Sequence, residues 1–295
     1  RVFVAVAEAK SFAAAARKLA LSPPFVTRAV AALETHVAAK LFHRTSRIVR
    51  LTEVGQRFLE DTKRILHDLE SAERRAAGLH AEPRGRLTLT APLMFGRLHV
   101  APIALEFLRT HPQVTLRTLF TDQIIDILEE GAEVAIRIGR LEDSSLRAVQ
   151  VGTLRRVVCA SPQYLAARGT PRTPDELADH PVIAFIGVNV QRHWSFVRAG
   201  QPLRIEPKPR LIVNTADLAV AAACDGIGLT RVLSYQVDAE LRAGTLARVL
   251  SEFEPPVVPV HVVHVAGGTP SASVRAFFDL AVRRLRASLR ALTRE

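Results

Sequence analysis

Residues 11–51 read SFAAAARKLALSPPFVTRAVAALETHVAAKLFHRTSRIVRL, and the spacing of their apolar side chains decides how the chain begins. Ser11 is placed as an N-cap, and Phe12, Ala15, Ala16 and Leu19 recur behind it on one helical face. Leu21 breaks the pattern. Ser22 then caps a second helix with Pro23 at its first position, where a missing N–H costs nothing. Val26, Ala29, Val30 and Leu33 form the buried stripe of this helix, which leaves Pro24, Thr27, Arg28 and Ala31 outside. Two short helices joined by so tight a turn predict a helix-turn-helix whose second helix enters a major groove. Small outer side chains let the backbone approach base edges, and Thr27 and Arg28 can bond bases or phosphates. Leu41-Phe42 and Ile48-Val49 flank Arg44, Thr45 and Arg47, which predicts a hairpin wing with a basic tip.

The competing expectation is a small helical subdomain with a solvated basic face. Charge decides between them. Residues 1–51 hold nine Lys or Arg against two Glu, a net +7 of the chain's +11. A basic excess gathered on a groove-sized motif is the footprint of nucleic-acid binding, here to double-stranded DNA.

At 295 residues the chain is long enough for two or three domains, and 48% hydrophobic with 23% charged residues is a globular composition. No apolar run approaches the roughly 20 residues that cross a bilayer, and no secretory signal is visible. The expected compartment is the cytoplasm, with no membrane partner. The chain opens at Arg1 inside an apparent helix (Val2, Phe3, Val6), which predicts a few residues before it. Cys159 and Cys224 stand far apart in apolar surroundings and read as buried free thiols.

Thr52 and Glu53 open a long helix in which Phe58, Thr62, Ile65, Leu69, Ala72, Ala76 and Leu79 step by four and three. One narrow apolar stripe between charged flanks predicts pairing with the same helix of a second chain. Residues 78–86, with Pro83 and Gly85, read as a hinge. Strands are expected at 87–91, 114–120 and 134–138, and from Pro181, Arg210 and Pro259. Helices are expected up to His111 and at 122–130, 175–179, 215–225 and 273–292, and a new unit starts at 162–168. That alternation predicts two α/β lobes with parallel sheets, the chain crossing between them near Ser161 and near Ala266. Ligands in such sheets settle at the carboxyl ends of strands.

Other chemistry finds little support. His99, His111, His261 and His264 are scattered, and the last two point to opposite faces of one strand. Gly226-Ile227-Gly228 lacks a third glycine and follows a helix, so it is a turn. Cys159 has no base partner in sequence. No catalytic constellation, metal site or cofactor is expected.

Residues 3–59 resemble the N-terminal domain of the LysR-type transcriptional regulators. The resemblance rests on Ser-Phe-x-x-Ala-Ala (residues 11–16), Leu33-Glu34, Leu41-Phe42-x-Arg44 and Leu51-Thr52-x-x-Gly55. It extends through Gly131-Ala132-Glu133-Val134-Ala135-Ile136-Arg137, Ala160-Ser161-Pro162-x-Tyr164-Leu165, Asn214, Gly226-Ile227-Gly228 and Arg275-Ala276-Phe277. It implies an α/β protein with an all-α N-terminal winged helix-turn-helix (residues 1–57) and a long dimerising linker helix with hinge (58–85). A two-lobed, periplasmic-binding-protein-like effector domain follows (86–295; lobe I 86–161 with 267–295, lobe II 162–266). Ser22, Pro24, Val26 and Arg28 fit the family's recognition helix. The implied DNA contacts are Ser22, Pro24, Thr27, Arg28, Arg44, Thr45 and Arg47; Pro23 departs from the polar residue, often Gln, common in relatives. The implied assembly is a homodimer or dimer of dimers on a palindrome, with a small-molecule effector and room for RNA polymerase as a partner.

The segment Ala91-Pro92-Leu93-Met94-Phe95-Gly96 departs from the family too. Many relatives carry there a Ser or Thr that bonds an effector carboxylate. Met94 either fills core volume or lines the cleft. In the second case Leu93, Met94, Phe95, Arg137, Asn214, Thr215 and Thr230 are the effector-binding candidates, for a ligand with an apolar or aromatic body and at most one anionic group. The alternative from another class is a small-molecule binding protein or enzyme on a periplasmic-binding-like fold with an appended basic domain. A third is a nucleoid-associated structural protein. The helix-turn-helix and heptad helix argue against the first of these, and the two lobes against the second.

Overall fold

Ser11 Oγ accepts the Ala14 N–H at 3.2 Å and Ser22 Oγ accepts the Phe25 N–H at 3.4 Å, so both serines open helices as N-caps. In this computed structural model the helices are α1 (Val2–Ala9), α2 (Phe12–Leu19) and α3 (Pro23–His36). Lys10 and Ala20 end α1 and α2 in the left-handed conformation, which makes the two turns tight. The strands β1 (Phe42–Arg44) and β2 (Val49–Leu51) pair antiparallel with Phe42 opposite Leu51, and α4 (Glu53–Ala76) follows. The structure describes residues 1–44, 49–76, 82–123, 131–141, 146–186, 193–265 and 270–292. They fall into two units, Arg1–Ala81 and Glu82–Glu295.

The apolar stripes of α1, α2 and α3 meet in one core of Phe3, Val6, Ala15, Ala16, Val26, Val30, Leu41 and Phe42. Fully burying a side chain of this kind stabilises by about 1.5–3 kcal/mol. The Phe3 ring lies 5.3 Å from those of both Phe42 and Phe58. Phe58 therefore packs into its own unit's core and is removed from the heptad seam expected for α4. Leu79 lies outside the described residues.

The second unit runs through β3 (Gly85–Ala91), α5 (Leu93–Phe95), a π turn at Gly96–Val100, α6 (Ala101–Thr110), β4 (Val114–Phe120), β5 (Val134–Ile138) and β6 (Leu146–Leu154). Next come β7 (Arg156–Ala160), α7 (Pro162–Arg168), β8 (Val182–Phe185), β9 (Trp194–Arg198), β10 (Gln201–Ile205), β11 (Pro209–Val213), α8 (Ala216–Cys224) and β12 (Leu229–Leu233). The last elements are α9 (Asp238–Ala243), β13 (Ala247–Val249), β14 (Val258–Val265) and α10 (Ala272–Leu292). Lobe I has the sheet β4-β3-β5-β14-β6 and lobe II the sheet β11-β8-β12-β7-β13.

Both sheets are mixed, not parallel. β14 runs antiparallel to β5 and β6, and β7 antiparallel to β12 and β13. The chain therefore crosses between lobes at residue 155 and again over residues 250–257, earlier than expected at both places. β7 belongs to lobe II and β14 to lobe I, because non-local pairing sets the sheet that a strand joins. The expected 175–179 helix is a 3₁₀ turn over Pro174–Asp179. Of the expected 122–130 helix, residues 124–130 lie outside the described residues. The helix after β3 is interrupted at its π turn, where Ala101 N–H bonds Gly96 O, because Pro102 has no N–H to continue the ladder.

Lobe I closes on Leu87, Leu89, Phe95, Phe107, Ile136, Val262, Phe277 and Leu285, with Phe107 and Phe277 edge to face at 5.3 Å. Ser273 Oγ on α10 accepts Arg84 N–H and donates to Arg84 O, both at 2.9 Å, fastening the start of this unit to its end. Lobe II buries Cys159, Ile183 and Val232 under α8 on one face. On the other face Val158, Val182 and Leu229 lie under Trp194, Phe196 and Tyr164. The turn read at Gly226-Ile227-Gly228 is present. A Cβ on Gly228 would stand 2.2 Å from Pro181 O, so only glycine fits there.

Candidate DNA interface and effector cleft

With Val26 and Val30 buried and Ser22 and Pro23 fixing its first turn, α3 exposes Pro24, Phe25, Thr27, Arg28 and Ala31. Thr27 Oγ1 donates to Pro23 O at 3.1 Å, so toward DNA its hydroxyl is an acceptor and its methyl an apolar contact. Ser22 is occupied as a cap. Phe25 is 47% exposed and was missed by sequence reasoning; the signal was its place beside, not within, the buried stripe. An exposed ring on this face can press on a thymine methyl. On the wing, His43 and Arg50 are cross-strand partners and both exposed, which adds Arg50 to the basic candidates. Arg44 ends β1, its side chain undescribed, and Thr45 and Arg47 lie outside the described residues.

Glu34 ties helix to wing. It is only 4% exposed, and its Oε1 accepts the N–H groups of Leu41 at 2.9 Å and Phe42 at 3.2 Å. Thr52 continues the tie: its N–H bonds Leu41 O at 3.0 Å and its hydroxyl bonds Lys40 O at 2.7 Å. A Cβ on Gly55 would stand 2.0 Å from Leu41 O, which explains the glycine three residues after Thr52. Glu8 bonds Lys18 and Lys63 at 3.1 Å each, and Lys63 followed by Lys18 holds its carboxyl below the ordinary range. Farther along α4, Ile65 is 62% and Leu69 48% exposed, two apolar side chains one turn apart with no cover.

Between the lobes, Leu93 opens α5 with its N–H bonded to Asp122 Oδ1 at 3.0 Å. Burial raises the Asp122 carboxyl above its ordinary range; the Leu93 bond opposes this, and the Asp217 charge adds to it. Arg97 Nη2 meets Asp217 Oδ1, in the first turn of α8, at 2.6 Å and so bridges lobe I to lobe II. A cavity of about 280 Å³ opens here, lined by Met94, Arg97, Leu98, Val220 and Tyr235 among others. Met94 thus does both things weighed for it, packing into the lobe I core and bordering the cavity. Leu93 is exposed, Asn214 exposed and Thr215 half-buried at the α8 N-terminus. Arg137 faces His261 across β5 and β14, on the sheet face opposite this core. Phe95 and Thr230 do not line the cleft either. Phe95 is wholly buried against Tyr235 and His99, and Thr230 is wholly buried with its hydroxyl donated to Ile183 O at 3.2 Å.

Burial pushes the Cys159 thiol up to about 12, with Cys224 adding to it, so it is no nucleophile at neutral pH. Both cysteines are free thiols. His264 stacks edge-on with Phe278 and His111 stacks on Phe107, while burial lowers the pKa of His99. Among the described residues no cluster of three or more His, Cys, Asp or Glu could hold a metal ion, and no helix is long and apolar enough to cross a membrane.

Comparison with known proteins matches residues 1–56 to the bacterial regulatory helix-turn-helix protein domain, lysR family, and residues 80–286 to the LysR substrate binding domain. An HTH-type transcriptional regulator of Xanthomonas campestris pv. campestris is 35% identical over 96% of this chain and 84% of its own length. The solved structure of CrgA, a LysR-type transcriptional regulator from Neisseria meningitidis, is 30% identical. It superposes with a TM-score of 0.63 over 96% of this chain and 97% of that one. Full-length AphB, the Vibrio cholerae virulence activator, shares the fold at 24% identity, with a TM-score of 0.63 over 96% of this chain and 97% of that one.

Proposed function

Because the chain belongs to the LysR family of transcriptional regulators, which bind DNA and small-molecule effectors as oligomers and are not enzymes, we propose how this member does so. Pro24, Phe25, Thr27 and Arg28 address base edges and phosphates in a major groove, with Arg44, Thr45, Arg47 and Arg50 gripping the flanking backbone. The observation that carries this is the exposed outer face of α3, backed by buried Val26 and Val30 and fixed to the wing by Glu34. Two or four chains, paired through Ile65 and Leu69 on α4, read a palindrome whose half-sites are one or more turns of about 34 Å apart. The protein works in the cytoplasm without a metal or organic cofactor and without a membrane partner, and passes its signal to RNA polymerase.

The effector has an apolar or aromatic body and at most one anionic group. Leu93 and Met94 offer it a soft apolar surface, and Asn214 and Thr215 offer polar contacts. Fluorescence anisotropy on a palindrome and on random DNA, across salt and with a panel of small acids, tests both halves. Specific binding that responds to an apolar monoacid supports the reading. A polyhydroxylated or dianionic ligand binding at micromolar affinity, untouched by Met94→Ser, overturns the effector half.

A further inference from the structure

Lobe II carries two half-buried arginines that meet no counter-charge among the described residues. Three of its other arginines are paired: Arg198 with Asp175, Arg242 with Asp238, and Arg248 with Glu254, while Arg168, Arg172, Arg204 and Arg210 are exposed to solvent. Arg156 and Arg231 are half-buried, and among the described residues no carboxylate bridges either one. Arg231 is held in place by neutral partners. Its Nη1 donates to Ser195 O at 3.3 Å, and its guanidinium lies 5.4 Å from the centre of the Trp194 ring.

Strand register brings the two together. In the β7–β12 pair Arg231 is opposite Val158 and Leu233 is opposite Arg156. Side chains two apart on a strand share a face, so both guanidiniums project on the Trp194 side as diagonal neighbours. Their position along the strands faces the other lobe. Leu154, two residues before Arg156, lies in the lobe I core, and Leu233, two residues after Arg231, packs against it. On β8, Ala184 shares the face of Val182 and places a small side chain next to Arg231. Burial and the Arg156 charge pull the Arg231 pKa down to about 9, so Arg231 still carries its charge at neutral pH, and burial lowers the Arg156 pKa from its ordinary value too.

A pair of like charges, half-buried and unbridged among the described residues, is poorly placed unless something anionic completes it. The amide seat on Leu93 is already filled by Asp122, with Asp217 close by, so an anion is repelled from that end of the cleft. We propose that Arg156 and Arg231 seat the carboxylate of a small organic acid, the anionic end of the effector. Two guanidinium forks converging on one carboxylate match its geometry, and Trp194 fixes one of them in advance. The inference rests on the proposed ligand-responsive cleft and names the chemistry of its anchor.

Benzoate, its neutral isostere benzamide, and inorganic phosphate serve as probes on the full-length protein at fixed ionic strength. Thermal shift and calorimetric titration are the readouts. Benzoate is expected to raise the melting temperature of the wild type and benzamide to leave it unchanged. Arg156→Met and Arg231→Met should each weaken benzoate at least ten-fold. Both variants should melt at or above the wild-type temperature without added acid, because each removes one of two half-buried like charges. Arg231→Lys should recover part of the affinity. Equal benzoate affinity in all variants, or no benzoate response in the wild type, overturns the seat. A Met variant that melts well below the wild type while still binding benzoate shows the arginines to be structural and also overturns it. A stronger response to phosphate than to benzoate overturns the carboxylate assignment. Benzoate bound through both arginines without any change in operator affinity would keep the seat and instead refute the ligand-responsive reading.

Discussion

Glu34 is the side chain whose loss should be felt most in the DNA-binding unit. Its Oε1 alone accepts the Leu41 and Phe42 N–H groups, and both residues are buried. Glu34→Ala would orphan two buried donors at about 1–3 kcal/mol each, so roughly 2–6 kcal/mol in all. For a domain of this size that is a large share of a total near 5–15 kcal/mol, and roughly 8–48 °C in melting temperature. Glu34→Gln keeps the accepting oxygen in place and loses the charge, with Lys40 too exposed to add much at 3.5 Å. It should cost about 1 kcal/mol, the difference between a charged and a neutral hydrogen bond. Amide hydrogen exchange at Leu41 and Phe42 gives the local readout, with thermal unfolding and operator affinity beside it. Exchange should accelerate strongly in the Ala variant and weakly in the Gln variant, with operator affinity following the same order. An Ala variant whose two amides stay protected and which melts with the wild type would refute the reasoning, because the orphaned donors would then have found other partners.

Gly55→Ala should unfold or expel the start of α4, since its Cβ meets the Leu41 carbonyl at 2.0 Å; a variant with wild-type circular dichroism and melting would contradict that close approach. Ile65→Asp with Leu69→Asp should give monomers in sedimentation that keep the fold and lose specific DNA binding, and an intact oligomer would count against pairing through α4. Asp122→Asn keeps an oxygen for Leu93 N–H and removes a disfavoured charge. A raised carboxyl pKa means that folding is penalised above it and relieved as pH falls through it towards the ordinary 3.8, so the variant should melt at or above the wild type at neutral pH. That advantage should shrink on acidification through this window, and a variant less stable than wild type at pH 7 would reverse the sign.

Legibility in the sequence followed the range of the interactions. The helices α1, α2, α3, α8 and α10 were readable because caps such as Ser11 and Ser22 and the stripe of Val26 and Val30 act within a turn or two. β7 was not. RVVCA is buried along nearly its whole length, shows no alternation, and is separated from β6 by one residue. The β9–β10 hairpin was missed because it turns at Ala199-Gly200, where Ala199 takes a positive φ of 50° without the usual Asn or Asp. The lobe crossings were misplaced because β14 is assigned to lobe I by pairing with strands more than a hundred residues away. At the sites the same rule holds. The outer face of α3 was legible from periodicity, with Phe25 overlooked although the same periodicity exposes it. Asp122 gave no local sign, because its partner Leu93 is 29 residues earlier in the chain. Thr230 was placed in the cleft by its position at a strand end and Phe95 by its place in the segment after the first strand, and strand alternation and helix rotation turned both into the core.

The most direct measurement is footprinting of the full-length protein on the intergenic region beside its own gene, with Arg28→Ala alongside and across a salt titration. The wild type should protect two half-sites related by a palindrome and separated by one or more helical turns. Arg28→Ala should weaken every target similarly and lower the log–log salt slope by about 1. Protection that is uniform along the fragment, or a footprint and salt slope unchanged by Arg28→Ala, would contradict sequence-specific recognition through the outer face of α3.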